Sequence, residues 1–406
     1  MRKNGVDRTL TKIQGGVCAP SGFRASGVYA NIERKTDNVS RETREDLGLI
    51  LGAQRYPTAC VFASKGYGAP TLLSKKHIQL GYARAVVVNS GIANAFGENA
   101  ERSARVICQS VGKYARILEE EVVIASTGKL SVPFSETPVL ENIPSLVEKL
   151  QTTNESSLAF ARAIMTTDTA PKQFAYSFYI GDIPCKIGVA CKGNARVCPN
   201  MATTLCFITT DVNISPKMLT KALQTAVNDT LNMLICDGIS SPNDCACIMA
   251  SGLAGNYIID RADSEYNKFL YALKETLAQV CRLIAQDEPN AKLLVCKLQG
   301  AKSPRVSKTL AKEVIKSSGI RRKITQNSLD VEDVLSLLRT MEEQTDLSKV
   351  EIAVATKKGK RVLYEDGRAL KIMQEELEKT LDEREVEILI KLNDGNYQAT
   401  AIGNNL

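Results

Sequence analysis

The chain has 406 residues, with 52 Lys and Arg against 45 Asp and Glu, a formal charge of +7 with its single histidine neutral. With 44% hydrophobic residues, 24% charged residues and only 13 prolines, disorder and collagen-like repeats are excluded, and the length allows two core-forming units or one large layered domain. Because serine, cysteine and zinc chemistry generally recruit imidazole, the lone His77 removes most of the common catalytic vocabulary.

The 12 cysteines stand singly in apolar runs, such as Cys60 beside Val61-Phe62 and Cys296 beside Val295, and are read as reduced, buried small hydrophobes. Cys245-x-Cys247 lacks the further partners a metal would need. The N-terminus has no stretch of signal-peptide length and no run approaches a membrane span, so a cytoplasmic protein without membrane partners is expected. Between Lys302 and Leu406, 19 basic residues face 18 acidic ones, which leaves no basic tail for nucleic acid.

Elements follow in chain order, and their alternation predicts a mixed α and β fold. Ala83–Val88 reads as a buried strand running into the turn Asn89-Ser90-Gly91-Ile92-Ala93-Asn94. A helix is predicted from about Glu98 to Leu118, with Val106, Ile107, Val111, Ala115 and Leu118 on one face. The strand Val122–Ile124 stops at Ala125-Ser126-Thr127-Gly128, a turn able to expose backbone amides.

Phe174–Ile180 and Ile183–Cys191 read as a hairpin leading to Lys192-Gly193-Asn194-Ala195-Arg196, and Leu205–Ile208 as a further strand. Ser215-Pro216 opens a helix to about Leu234, and Asp263–Ile284 is helical. The final third mixes helices at Val331–Met341 and Ala369–Leu381 with strands at Val350–Ala355, Glu385–Ile390 and Tyr397–Ile402.

There is no G-x-x-x-x-G-K-[ST], no G-x-G-x-x-G and no G-x-S-x-G, which weakens nucleotide-binding and α/β-hydrolase readings. A threonine made N-terminal by peptide cleavage supplies its own base, the α-amine, and needs no histidine. That solution becomes specific at Pro199-Asn200-Met201-Ala202-Thr203-x-Leu205. Other ordered runs accompany it: Ala19-Pro20-x-Gly22-Phe23-Arg24-Ala25-x-Gly27-Val28, Val88-Asn89-Ser90-Gly91-x-Ala93-Asn94-Ala95, Ser126-Thr127-Gly128, and Ala163-Ile164-Met165-Thr166-Thr167-Asp168-Thr169-x-Pro171-Lys172.

Together, over roughly residues 15 to 406, these runs resemble the ornithine acetyltransferase family, the bifunctional glutamate N-acetyltransferases of arginine biosynthesis. The resemblance implies an α+β fold, a layered sandwich of β-sheets flanked by α-helices, in an autocatalytically cleaved acyltransferase. Cleavage between Ala202 and Thr203 would leave an alpha chain, 1–202, and a beta chain, 203–406, held together and assembled into a homo-oligomer. Thr203 would then carry acetyl from N-acetylornithine to glutamate in a ping-pong cycle, without a bound cofactor and with acetyl-CoA as a second donor in some members. Thr127 and Gly128 match the family's oxyanion-hole pair, and Thr166, Lys192 and Glu288 its substrate contacts.

Three departures accompany the match. The family's Lys-Gly-Ser-Gly-Met is Lys192-Gly193-Asn194-Ala195-Arg196 here, and its Asp-Gly-Asp-Thr-Ser-Thr-Asn-Asp is Asp237-Gly238-Ile239-Ser240-Ser241-Pro242-Asn243-Asp244. The sequence stops at Leu406, before the segment whose asparagine and threonine complete the family's substrate site, so fewer substrate contacts are expected. These departures keep two alternatives open, an N-terminal-threonine amidase or acyltransferase of altered specificity and a degenerate paralogue without catalysis.

Overall fold

The computed structural model describes residues 9–33, 44–62, 66–194, 204–236, 241–340 and 346–406. Ala202 and Thr203 lie outside the described residues, as do 237–240 of the expected loop. In chain order the elements are β1 Thr11–Ile13, β2 Phe23–Val28, β3 Leu47–Phe62, α1 Ala69–His77, β4 Tyr82–Asn89, α2 Ala100–Ala115, β5 Val122–Ser126, α3 Thr137–Glu148, α4 Asn154–Ala163, β6 Lys172–Ile180, β7 Ile183–Lys192 and β8 Leu205–Thr210. There follow α5 Pro216–Asp229, β9 Leu234–Ile235, β10 Cys245–Ala250, α6 Ser264–Ala285, β11 Leu293–Ala301, α7 Pro304–Lys316, α8 Ser318–Thr325 and α9 Val331–Arg339. The chain closes with β12 Glu351–Thr356, β13 Gly359–Glu365, β14 Arg368–Ala369, α10 Gln374–Leu381, β15 Glu385–Lys391 and β16 Tyr397–Asn404. The mixed α and β expectation holds, and among the described residues no helix is long and apolar enough to cross a membrane.

Two compact units divide the chain, and they cut across the expected fragments. The first comprises Met1–Gly193, Asn200–Val227 and Ser240–Leu277. Its sheet runs β1-β6-β7-β8-β10-β3-β4-β5, with β2 also on β3. Alternation along β3 and β4 sends Leu47, Leu49, Leu51, Ala85 and Val87 towards Ile107 and Val111 of α2 and Ile143 and Leu146 of α3. Ile50, Val86 and Val88 face the other way and share a core with Phe160 of α4, Phe207 of β8 and Met249 of β10. The Phe160 and Phe207 rings meet edge to face, 5.6 Å between centroids. Helix α4 approaches β2 so closely that a Cβ on Gly27 would overlap the Ala159 carbonyl. The result is a layered arrangement of helices over sheet over strands.

The hairpin of β6 and β7 turns through Gly181-Asp182, where Gly181 takes φ 59°, the left-handed conformation a two-residue hairpin favours. His77 Nδ1 sits 2.8 Å from the Val122 carbonyl, a structural contact at the end of α1. The predicted helix after residue 98 is α2, but its buried face is Ala104, Ile107, Cys108 and Val111. Leu118 is 64% exposed, because Arg116 takes a left-handed C-cap and ends the helix before it.

The second unit comprises Asn194–Pro199, Asn228–Ile239 and Ala278–Leu406. Its sheet runs β14-β13-β12-β15-β11-β16-β9, with β11 parallel to β15 and antiparallel to β16. Leu294, Cys296 and Leu298 of β11 pack with Leu310 and Val314 of α7 and Val334 and Leu338 of α9. Two predicted boundaries move. Helix α5 ends at Asp229 because Leu234 and Ile235 pair with Ile402 and Gly403 as β9. The helix predicted from Ala369 begins only at Gln374, since Arg368–Ala369 forms β14 against β13. Tertiary pairing overrides local propensity at both places.

Candidate active site

In the first unit, β4 and β5 run parallel and end side by side, Asn89 level with Ser126. The loops beyond them interlock. Thr127 N donates to Asn89 O at 3.0 Å, Lys129 N to Gly91 O at 2.9 Å and Ala93 N to Lys129 O at 3.0 Å. Ser126 Oγ accepts from Asn94 N at 2.8 Å, and Asn89 Nδ2 donates to Ile92 O at 2.8 Å. Gly128 takes φ 132°, and a Cβ there would overlap the Gly91 carbonyl, so only glycine fits the turn. Among the described residues the Gly128 N–H has no acceptor. Thr127 and Gly128 are both half-buried.

Lys192, the last residue of β7, is 2% exposed, and its Nζ donates to Thr127 Oγ1 at 3.1 Å. The loop after α4 packs beside it. Asp168 Oδ1 accepts from Gly193 N at 2.8 Å and from Lys172 Nζ at 2.7 Å, while its Oδ2 accepts from Thr166 N at 3.0 Å. One buried carboxylate thus ties the Thr166 turn to the end of β7. Arg44 Nη2 donates to Met165 O at 2.9 Å on the same loop.

Burial pushes the Lys192 ammonium below its usual pKa, opposed by the charges of Asp168 and Asp244 and reinforced by those of Lys172 and Arg44. For Asp168, burial raises the carboxyl pKa, but Lys172, Lys192 and the Gly193 N–H outweigh it and the net shift is downward. Lys172, Lys192 and Arg44 against Asp168 and Asp244 leave a positive excess, which suits a substrate carrying a carboxylate.

A second buried carboxylate fixes the entry to β8. Asp244 Oδ1 accepts from Thr204 N at 2.7 Å, and its Oδ2 accepts from Ser241 N at 3.1 Å. Leu205, the next residue, pairs with Lys192 across β7 and β8 and with Cys245 across β8 and β10. Asn243 Nδ2 donates to Asn94 O at 3.3 Å, joining this loop to the one after β4.

Of the sequence-predicted residues, Thr127, Gly128, Thr166 and Lys192 come together in this unit. Glu288 belongs to the second unit, half-buried in the turn between α6 and β11. Around that turn Asn404 Nδ2 donates to Ala285 O at 3.2 Å, and Asn405 Oδ1 accepts from Lys292 N at 2.6 Å. Sequence reasoning assigned no role to Asp168, Lys172, Asp244 or Arg44. Asp168 and Lys172 carried a usable signal, opposite charges four apart in a hydroxyl-rich run, whereas Arg44 carried none.

The ArgJ family model matches residues 27–406. The arginine biosynthesis bifunctional protein ArgJ of Caldanaerobacter subterraneus subsp. tengcongensis is 32% identical over 394 residues, 96% of this chain and 95% of its own. ArgJ 1 of Clostridium acetobutylicum is 34% identical over 384 residues, 94% of this chain and 92% of its own. A solved chain of ArgJ from Bacillus halodurans is 30% identical, covers 48% of this chain and 98% of its own, and superposes with a TM-score of 0.43.

Proposed function

The chain belongs to the ArgJ family, and on that premise we propose that it is a self-processing acetyltransferase of arginine biosynthesis that moves acetyl from N-acetylornithine to glutamate. The observation that carries the reading is the family match over residues 27–406, a span that includes Ala202-Thr203.

Thr203 Oγ1 attacks the Ala202 carbonyl, and the amide becomes an ester that water hydrolyses, leaving an Ala202 carboxylate and a free α-amine on Thr203. That amine takes the Thr203 hydroxyl proton as the oxygen attacks the acetyl carbonyl of N-acetylornithine. Negative charge on the acetyl oxygen is met by the Thr127 hydroxyl and the Gly128 N–H, and loss of one such donor raises a barrier by roughly 3 kcal/mol. Ornithine leaves with the proton, and the glutamate amine then takes acetyl from Thr203. Thr166, Lys192 and Glu288 serve as substrate contacts.

The Gly128 N–H, which has no acceptor among the described residues, supports the oxyanion assignment. Strand order supports lasting association of 1–202 with 203–406. In the sheet β8 and β10, from the second fragment, lie between β7 and β3, from the first. The processed pair forms a homo-oligomer in the cytoplasm.

The test is transfer of acetyl from N-acetylornithine to radiolabelled glutamate, with acetyl-CoA as donor in a parallel reaction. Labelled acetylglutamate is expected from N-acetylornithine with the wild type and none with Thr203→Ala. A processed wild type that forms none overturns the proposal.

A further inference from the structure

An ammonium has three N–H donors and no acceptor, so the contact between Lys192 Nζ and Thr127 Oγ1 at 3.1 Å has one sense. Lysine donates and the hydroxyl accepts. The proton of Thr127 is then directed away from Lys192 and is left to serve another acceptor. A hydroxyl that accepts from a charged donor is also the better donor, because linked hydrogen bonds polarise one another in a dry site.

Lys192 is held for this task. It is buried, it ends β7 in register with Leu205, and the next peptide N–H, that of Gly193, is fixed on Asp168. Asp168 is itself anchored by Lys172 and Thr166, so the carboxylate cannot turn away without breaking three hydrogen bonds.

Resting on the reading above, we propose that Asp168, Lys192 and Thr127 form one donor line in which Asp168 anchors Lys192 and Lys192 aims the Thr127 hydroxyl proton at the acetyl oxygen. Lys192 and Asp168 are thereby positioning residues for the chemical step, beyond any contact Lys192 makes with a substrate carboxylate. Lys192 accordingly matters even for an acetyl donor that has no carboxylate.

The experiment follows acetylation of Thr203 by 4-nitrophenyl acetate, which offers an acetyl carbonyl and no carboxylate. Wild type, Lys192→Met, Thr127→Ala and the double variant are compared, with rates taken per processed chain by mass spectrometry. Each single variant is expected to react about 100-fold more slowly, and the double variant no more slowly than Thr127→Ala alone. Thr127→Ser, which keeps the hydroxyl, is expected to retain most of the rate.

Lys192→Met acetylated at the wild-type rate, or losses that multiply in the double variant, would overturn the donor line while leaving the transferase reading intact. A folded Lys192→Met chain that stays uncut also overturns it, since the residue would then act in cleavage. A wild type that is uncut, or processed but never acetylated, removes both proposals together.

Discussion

Lys192 Nζ lies 3.1 Å from Thr127 Oγ1, although four strands separate β7 from β5 in the order of the sheet. In a flat sheet five inter-strand steps would span about 24 Å. The contact therefore requires the sheet to fold back on itself. Strand β3 supplies the means, with 16 residues and a break in register between Leu51 and Tyr56. The shared core of Ile50, Val86, Phe207 and Met249 holds the fold closed, so the candidate site sits where β5, at one end of the sheet, meets β7, an inner strand.

The charge on Lys192 gives a pH prediction. Burial lowers its pKa, Asp168 and Asp244 raise it, and Lys172 and Arg44 lower it. Removing the Asp168 charge with Asp168→Asn lowers it further, so the ammonium loses its proton at a lower pH than in the wild type. The alkaline limb of the transfer rate is expected to move to lower pH. The acid limb is expected to stay. A pH profile with an unmoved alkaline limb contradicts the role of Asp168.

Asp244 is the anchor of Thr204. Asp244→Ala leaves the Thr204 and Ser241 N–H groups without this acceptor, at a cost of about 1–3 kcal/mol for each group left unpaired. Because Thr204 directly follows the proposed nucleophile Thr203 in the chain, kcat for acetyl transfer is expected to fall by about 100-fold. Asp244→Asn, which keeps one carbonyl oxygen, is expected to recover part of that loss, and equal kcat in wild type and Asp244→Ala would sink the assignment.

Gly128→Ala puts a Cβ against the Gly91 carbonyl at a φ of 132°. A loss of about 2–3 kcal/mol in unfolding free energy is expected, together with loss of acetyl transfer. Gly255→Ala is the reference, because its φ of +88° is also left-handed but nothing lies within 4 Å. About 1 kcal/mol is expected there, and denaturant unfolding that finds the two variants equal removes the steric argument.

How much of this was legible in the sequence follows from what each residue does. Continuous runs such as Ala83–Val88 announced buried strands, and Ser126-Thr127-Gly128 announced a turn, because those features depend on local geometry. The start of α10 and the end of α5 were not legible, because strand pairing with distant residues decides them. Asp168 and Asp244 belong to the same class, since a carboxylate becomes an anchor only when folding brings distant N–H groups to it. The Thr127 and Lys192 contact depends on the bend of β3, which no short motif encodes.

In the second unit, Asn405 brackets the turn that carries Glu288. Its Oδ1 accepts from Lys292 N, its N donates to Lys292 O at 3.3 Å, and its Nδ2 donates to Thr325 Oγ1 at 2.9 Å. Asn405→Ala is expected to cost about 1–3 kcal/mol of stability, and denaturant unfolding that finds it as stable as the wild type would contradict the anchoring of that turn.

The central claim is that Thr203 is the nucleophile, and intact-mass analysis of freshly purified protein beside Thr203→Ala tests it most directly. The wild type is expected as two fragments, 1–202 and 203–406, the second beginning at Thr203, and the variant as one uncut chain. A wild type that stays as one chain of 406 residues, or a Thr203→Ala variant that is cut at the same bond, would contradict it.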